Sequence, residues 1–102
     1  MVFDRVLKRF RDNIRWRQYV MTIHAEEEMD DDRLSIFDVE SAILTGRIIE
    51  RQRDRKTREW KYVLSGGAID GARVGVVGKL SPSGSLVILT TYREQRWHED
   101  RV

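Results

Sequence analysis

Two histidines occur in the 102 residues, His24 and His98. Histidine is the side chain best tuned to give and take protons near neutral pH. His24 stands just ahead of an acidic run, with Glu28 four residues on, and His98 lies in a polar C-terminal stretch. Tyr92 closes an apolar run, and its phenol offers an acid or a stacking platform for a base. Cations are plentiful between them: Arg47, Arg51, Arg53, Arg58, Lys61, Arg73 and Lys79. These are the parts that metal-free RNA cleavage needs. A base takes the 2′-hydroxyl proton, an acid protonates the leaving oxygen, and cations steady the charge on the phosphorane.

Each residue also has a plainer reading. His24 can be a helix-start residue satisfied by Glu28, Tyr92 a core-edge aromatic, and the cations an ordinary solvated sheet face. Trp60 and Tyr62 read as core rather than as stacking platforms. His24 and Glu28 would share one helix face, but no third ligand accompanies them, and the absence of cysteine excludes thiolate metal sites and disulfides. No metal or cofactor is therefore expected.

Charge is unevenly spread. The net charge is +2, yet residues 26–32 hold six carboxylates in seven positions, which leaves the rest of the chain at +8. Residues 1–18 carry six Arg or Lys against two Asp, and residues 46–61 carry seven against three acids. Such basic zones suit a polyanion such as RNA or an acidic protein. The acidic run repels RNA. It is either a solvated face helped by a helix N-terminus or, through Glu26, Glu27, Asp30 and Asp31, a dock for a basic partner.

These residues must be positioned by local elements. Phe3, Val6, Leu7, Phe10 and Ile14 follow the 3, 4, 3, 4 spacing of one helical face, so residues 3–16 predict a first helix. Residues 18–23 read as a short strand or extended link. A second helix follows over residues 23–32, with Ala25 and Met29 inward. Ser35 and Asp38 have the spacing of a capping box, opening a third helix whose inward face is Ile36, Val39 and Ile43, with Leu44 at its margin, and Gly46 stands where a left-handed C-terminal residue belongs.

The period then changes to two. Strands are expected over residues 47–54, 59–65, 73–80 and 86–92, with Trp60, Tyr62 and Leu64 on one face and Lys61 on the other. By the same alternation Arg47, Arg51 and Arg53 should share a face. Residues 66–71 form a glycine-rich connection and residues 81–84, Ser-Pro-Ser-Gly, a tight turn. The expectation is a single α+β domain over residues 1–93, its helices packed on a mainly antiparallel sheet of about four strands, with a polar tail over residues 94–102. The N-terminal residues lack the apolar stretch and cleavage site of a signal peptide, and no apolar run reaches a membrane span, so a cytoplasmic protein is expected.

Residues 24–29 (H-A-E-E-E-M), 35–52, 60–64 (W-K-Y-V-L) and 76–92 together resemble the small domain-of-unknown-function family 4258. The resemblance spans roughly residues 3–93. Family members often carry Arg four residues after the histidine and again near position 32, where this chain has Glu28 and Asp32. That family is similar in fold to RelE/BrnT-like toxins of toxin–antitoxin systems, many of which cleave messenger RNA without metal. Its members close to this chain tend to be encoded beside a small zinc-finger antitoxin of the MqsA/YgiT type. The resemblance thus implies a toxin-like endoribonuclease acting on mRNA, with RNA and such an antitoxin as partners. His24 and Tyr92 would then be the acid/base residues, and Arg47, Arg51, Lys61, Arg73 and Lys79 the RNA-binding ones. The alternative is a non-catalytic protein-binding module on the same fold.

Overall fold

The computed structural model describes residues 2–94. The chain runs α1 (Asp4–Arg15), β1 (Tyr19–Met21), α2 (Ile23–Asp31), α3 (Ile36–Thr45), β2 (Arg47–Arg53), β3 (Trp60–Gly67), β4 (Arg73–Leu80) and β5 (Leu86–Arg93). The strands form one sheet in the order β1-β5-β4-β3-β2. The fold is α+β, and the short strand or link expected over residues 18–23 is a strand, which brings the sheet from about four strands to five. β1 spans only three residues, too few to show a period of its own, and it pairs parallel to β5 from Tyr19–Leu86 to Met21–Ile88. Every other pairing is antiparallel. No helix among the described residues is long and apolar enough to cross a membrane. Residues 95–102, including His98, lie outside the described residues.

The helices form as their patterns dictate. α1 buries Phe10 and Ile14, and Phe3, Val6 and Leu7 pack against the same core. Its polar residues tie it down as well: the Arg11 guanidinium donates to the carbonyls of Ile43 and Gly46, and buried Asn13 donates to the carbonyl of Gly84. α3 carries the expected capping box, with Ser35 Oγ accepting from the Asp38 N–H at 3.2 Å and the Asp38 carboxylate accepting from the Ser35 N–H at 2.9 Å. Val39 and Ile43 are fully buried as expected, but so is Ala42, whereas Leu44 is exposed.

Ala42 is buried because backbone approaches it closely. A Cβ on Gly66 would lie 2.0 Å from the Ala42 carbonyl oxygen, and one on Gly46 would lie 2.3 Å from that of Ser65. Gly46 is therefore not the left-handed cap expected. Its φ of −91° is extended, and what the position requires is space. The turn at residues 81–84 does use a left-handed glycine, Gly84 at φ 90°, whose N–H donates to the Ser81 carbonyl.

All three helices pack on the same side of the sheet. α3 lies on β3 and β4, α2 lies on β5, and α1 packs against α3 and β5. Ile48, Leu64, Val74, Val76, Leu86 and Ile88 face them as the sheet half of the core. Among the described residues no helix lies on the other face of the sheet.

Candidate functional site

Cross-strand partners share a face, so the register shows what the uncovered side displays. One row crosses the sheet there: Arg47 opposite Ser65, Ser65 opposite Gly75, Gly75 opposite Tyr92. The next row is Glu50, Val63, Val77 and Thr90. Lys61 lies opposite Gln52, and Lys79 opposite Val87. Arg73, opposite Gly67, completes the face. Four of the five RNA-binding candidates, Arg47, Lys61, Arg73 and Lys79, thus share a face with Tyr92.

Tyr92 lies across the sheet because its row partner has no side chain. A Cβ on Gly75 would come within 2.1 Å of Tyr92 Cζ, so the ring rests on bare backbone. Burial pushes its phenol pKa above 10.0, and the charges of Glu94 and Glu50 push it further in the same direction. The phenol therefore holds its proton at neutral pH. Arg73 donates from Nη2 to Ser65 Oγ at 2.9 Å, and its Nε lies 4.0 Å from the Glu94 carboxylate. Arg47 is exposed, and at the sheet edge it also lines an apolar recess on the α1 side with Val2, Phe3, Asp4, Leu7 and Ile48. Lys61 and Lys79 sit four residues along their strands from the Ser65–Gly75 row, roughly 13 Å away at strand rise. Lys79 is held by Glu59 at 3.2 Å. Ser65, Glu50, Glu94 and Gly75 were not singled out from sequence. Alternation marks Ser65 as sharing the Lys61 face, but only the pairing register puts it beside Tyr92.

Two expectations need correction. β2 contains a bulge between Ile48 and Glu50, and this breaks the alternation. Arg47 falls on the uncovered face, whereas Arg51, opposite Tyr62, and Arg53, opposite Trp60, fall on the helix side. Trp60 is not core. Tyr62 is wedged edge-on between Phe3 and Phe10, but Trp60 lies at the end of the hairpin and is 38% exposed. Its ring carries the guanidinium groups of Arg51 at 3.9 Å and Arg53 at 4.1 Å.

His24 belongs to another part of the molecule. It lies in the first turn of α2, its side chain is 68% exposed, and its Nε2 is 3.1 Å from Glu28 Oε1. β1 pairs with β5 only as far as Ile88, and α2 takes over the bare edge beyond it. The Thr22 N–H donates to the Ile88 carbonyl and Thr22 Oγ1 to that of Leu89. Glu28 accepts the Thr91 N–H at 3.4 Å, and Asp32 accepts the Arg93 N–H at 2.7 Å. Thr91 Oγ1, fully buried, donates to the Ala25 carbonyl. Two of the six acidic residues are therefore edge caps for a strand. Glu26, Glu27, Asp30 and Asp31, the partner-binding candidates, remain exposed. Among the described residues no hydrogen bond, ion pair or ring contact joins His24 to Tyr92. Among the described residues no three His, Asp or Glu side chains gather as metal ligands.

The family of domains of unknown function DUF4258 matches residues 21–93, from the end of β1 to the end of β5. The chain belongs to this family. Its matched region takes in α2, α3 and all four long strands, including both sides of the sheet described above, while α1 precedes it. No curated protein and no solved structure matches the chain.

Proposed function

We propose that this DUF4258 domain is a toxin-like, metal-independent endoribonuclease that acts on messenger RNA on the uncovered face of its sheet. The observation that carries the reading is the sharing of one helix-free face by Tyr92, Arg47, Arg73, Lys61 and Lys79. A phosphodiester laid over the Ser65–Gly75 row meets Arg73 and Arg47 as its charge-steadying groups. The Tyr92 phenol, kept protonated by burial and by its acidic neighbours, donates to the 5′-oxygen as the bond to phosphorus breaks. The 2′-oxygen attacks the same phosphorus as its hydroxyl proton passes to solvent water, and the products are a 2′,3′-cyclic phosphate and a 5′-hydroxyl. His24 is the second acid/base candidate and would have to act from α2, at the β5 edge. A small zinc-finger antitoxin is the protein partner that fits this reading, and the cytoplasm is its compartment.

The test is induced expression in a bacterial host of the wild type, Tyr92→Phe, Arg73→Gln and His24→Ala, with messenger-RNA integrity and growth as readouts. Loss of an acid of this kind lowers cleavage by about 10²- to 10⁴-fold. Tyr92→Phe and Arg73→Gln should therefore leave RNA intact at unchanged protein level. A wild type that accumulates in soluble form without RNA cleavage or growth arrest removes the nuclease reading. The non-catalytic protein-binding module would then stand in its place, a reading favoured by the pairing of His24 with Glu28 rather than with Tyr92 and by the four exposed carboxylates of α2.

A further inference from the structure

The β2–β3 hairpin carries a feature that the proposed reaction does not use. Trp60 is a large aromatic left partly exposed at the hairpin end, and two guanidinium groups lie over its ring. Among the described residues, neither the Arg51 nor the Arg53 side chain makes a hydrogen bond or an ion pair; their contacts are with the ring. The acids of the hairpin are engaged elsewhere. Glu50 accepts from the Gln52 amide, and Glu59 holds Lys79. Asp54 accepts the N–H groups of Lys56 and Thr57, and these hold its carboxyl below the usual range. The ring fixes two planar forks of donors, which lowers the ordering cost of meeting an anion.

We propose that Arg51 and Arg53, stacked on Trp60, form a clamp for the phosphodiester backbone of single-stranded RNA. This rests on the reading of RNA as substrate and extends it to a second contact on the opposite side of the sheet. β2 is an edge strand. Its bulge places Arg47 on the reaction face and Arg51 on the other, three pair steps and roughly 10 Å along the strand. A strand leaving the row of Tyr92 past Arg47 would wrap over this edge and reach the clamp. A flexible single strand can make that turn and can stack an unpaired base on a guanidinium plane.

The probe is a labelled 2′-O-methyl oligouridine, which lacks the attacking hydroxyl, so that binding is read without cleavage. Its affinity is measured against salt for the wild type, for the double variant Arg51→Gln/Arg53→Gln and for Trp60→Leu. Each phosphate neutralised on a single strand contributes about 0.7 to the slope of log affinity against log salt. The double variant should therefore bind more weakly, with a slope smaller by about 1.4. Trp60→Leu keeps both charges and should weaken binding with little change in slope. All of the substituted side chains are exposed, and melting curves confirm that the variants fold. An unchanged slope in the double variant overturns the clamp, as does a wild type that does not bind the probe. Loss of binding to labelled polyglutamate, with oligouridine binding intact, would assign the pair to an acidic protein and overturn it equally. Probe binding without cleavage of ordinary RNA would remove the nuclease and leave the clamp standing.

Discussion

Replacing Gly75 with alanine tests whether Tyr92 owes its position and its protonation to a missing side chain. The added Cβ would lie 2.1 Å from Tyr92 Cζ and 2.3 Å from Cε2, whereas ordinary contact begins at 3.4 Å, so the ring must recede by at least about 1.3 Å. The backbone does not resist the change, because the glycines with positive φ are Gly71 and Gly84, not Gly75. Alanine in a strand is favoured over glycine by about 0.5–1 kcal/mol. Partial re-exposure of the half-buried ring costs a comparable amount, about 1 kcal/mol. Net stability should therefore stay within about 1 kcal/mol of the wild type, and the variant should fold. Its phenol should not stay the same. Burial is the largest cause of the raised Tyr92 pKa, so Gly75→Ala should let Tyr92 ionise closer to the ordinary 10.0. The assay is tyrosinate absorbance during alkaline titration, with Tyr92→Phe subtracted to assign the transition. RNA cleavage should fall in the same variant. A Tyr92 transition that does not move in Gly75→Ala would refute the argument that the ring lies on Gly75.

Two further outcomes follow from the packing. Gly66→Ala places a Cβ 2.0 Å from the Ala42 carbonyl oxygen, with backbone on both sides of the clash, so it should destabilise the fold by about 3 kcal/mol; thermal melting should show a loss of 12 °C or more at about 4 °C per kcal/mol. Burial and a hydrogen bond donated to Glu40 push the Tyr19 phenol up to about 12; the folded state holds this proton more tightly than the unfolded chain, so the contribution is intact below the ordinary 10.0 and is lost as pH rises to about 12. Denaturant midpoints measured across that window should fall less steeply in Tyr19→Phe than in the wild type.

Much of the fold was legible residue by residue. The α1 face that buries Phe10 and Ile14, the Ser35–Asp38 box and the turn ending in Gly84 are written in short-range spacing, and the alternation of Trp60, Tyr62 and Leu64 against Lys61 is as well. The acid/base and cation types of the candidate site were also legible, since residue chemistry does not depend on position. Ala42 escaped notice because alanine adds little to a hydrophobic period. Its burial follows from Gly66 and Gly46, which let β3 and the β2 entry come against α3.

What the chain encodes locally, it encodes through contacts three or four residues apart in helices and two apart in strands: which segments are helix or strand, where they cap, and which side chains travel together on one face. Which faces meet was decided by tertiary structure. The bulge at Ile49 separates Arg47 from Arg51 and Arg53, and the strand register sets Tyr92 on Gly75 beside Ser65. The early end of β1 leaves an edge of β5 that Glu28 and Asp32 must satisfy. Each of these depends on backbone groups from distant segments finding hydrogen-bond partners once buried. That requirement arises only when the sheet has assembled, so no local pattern carries it.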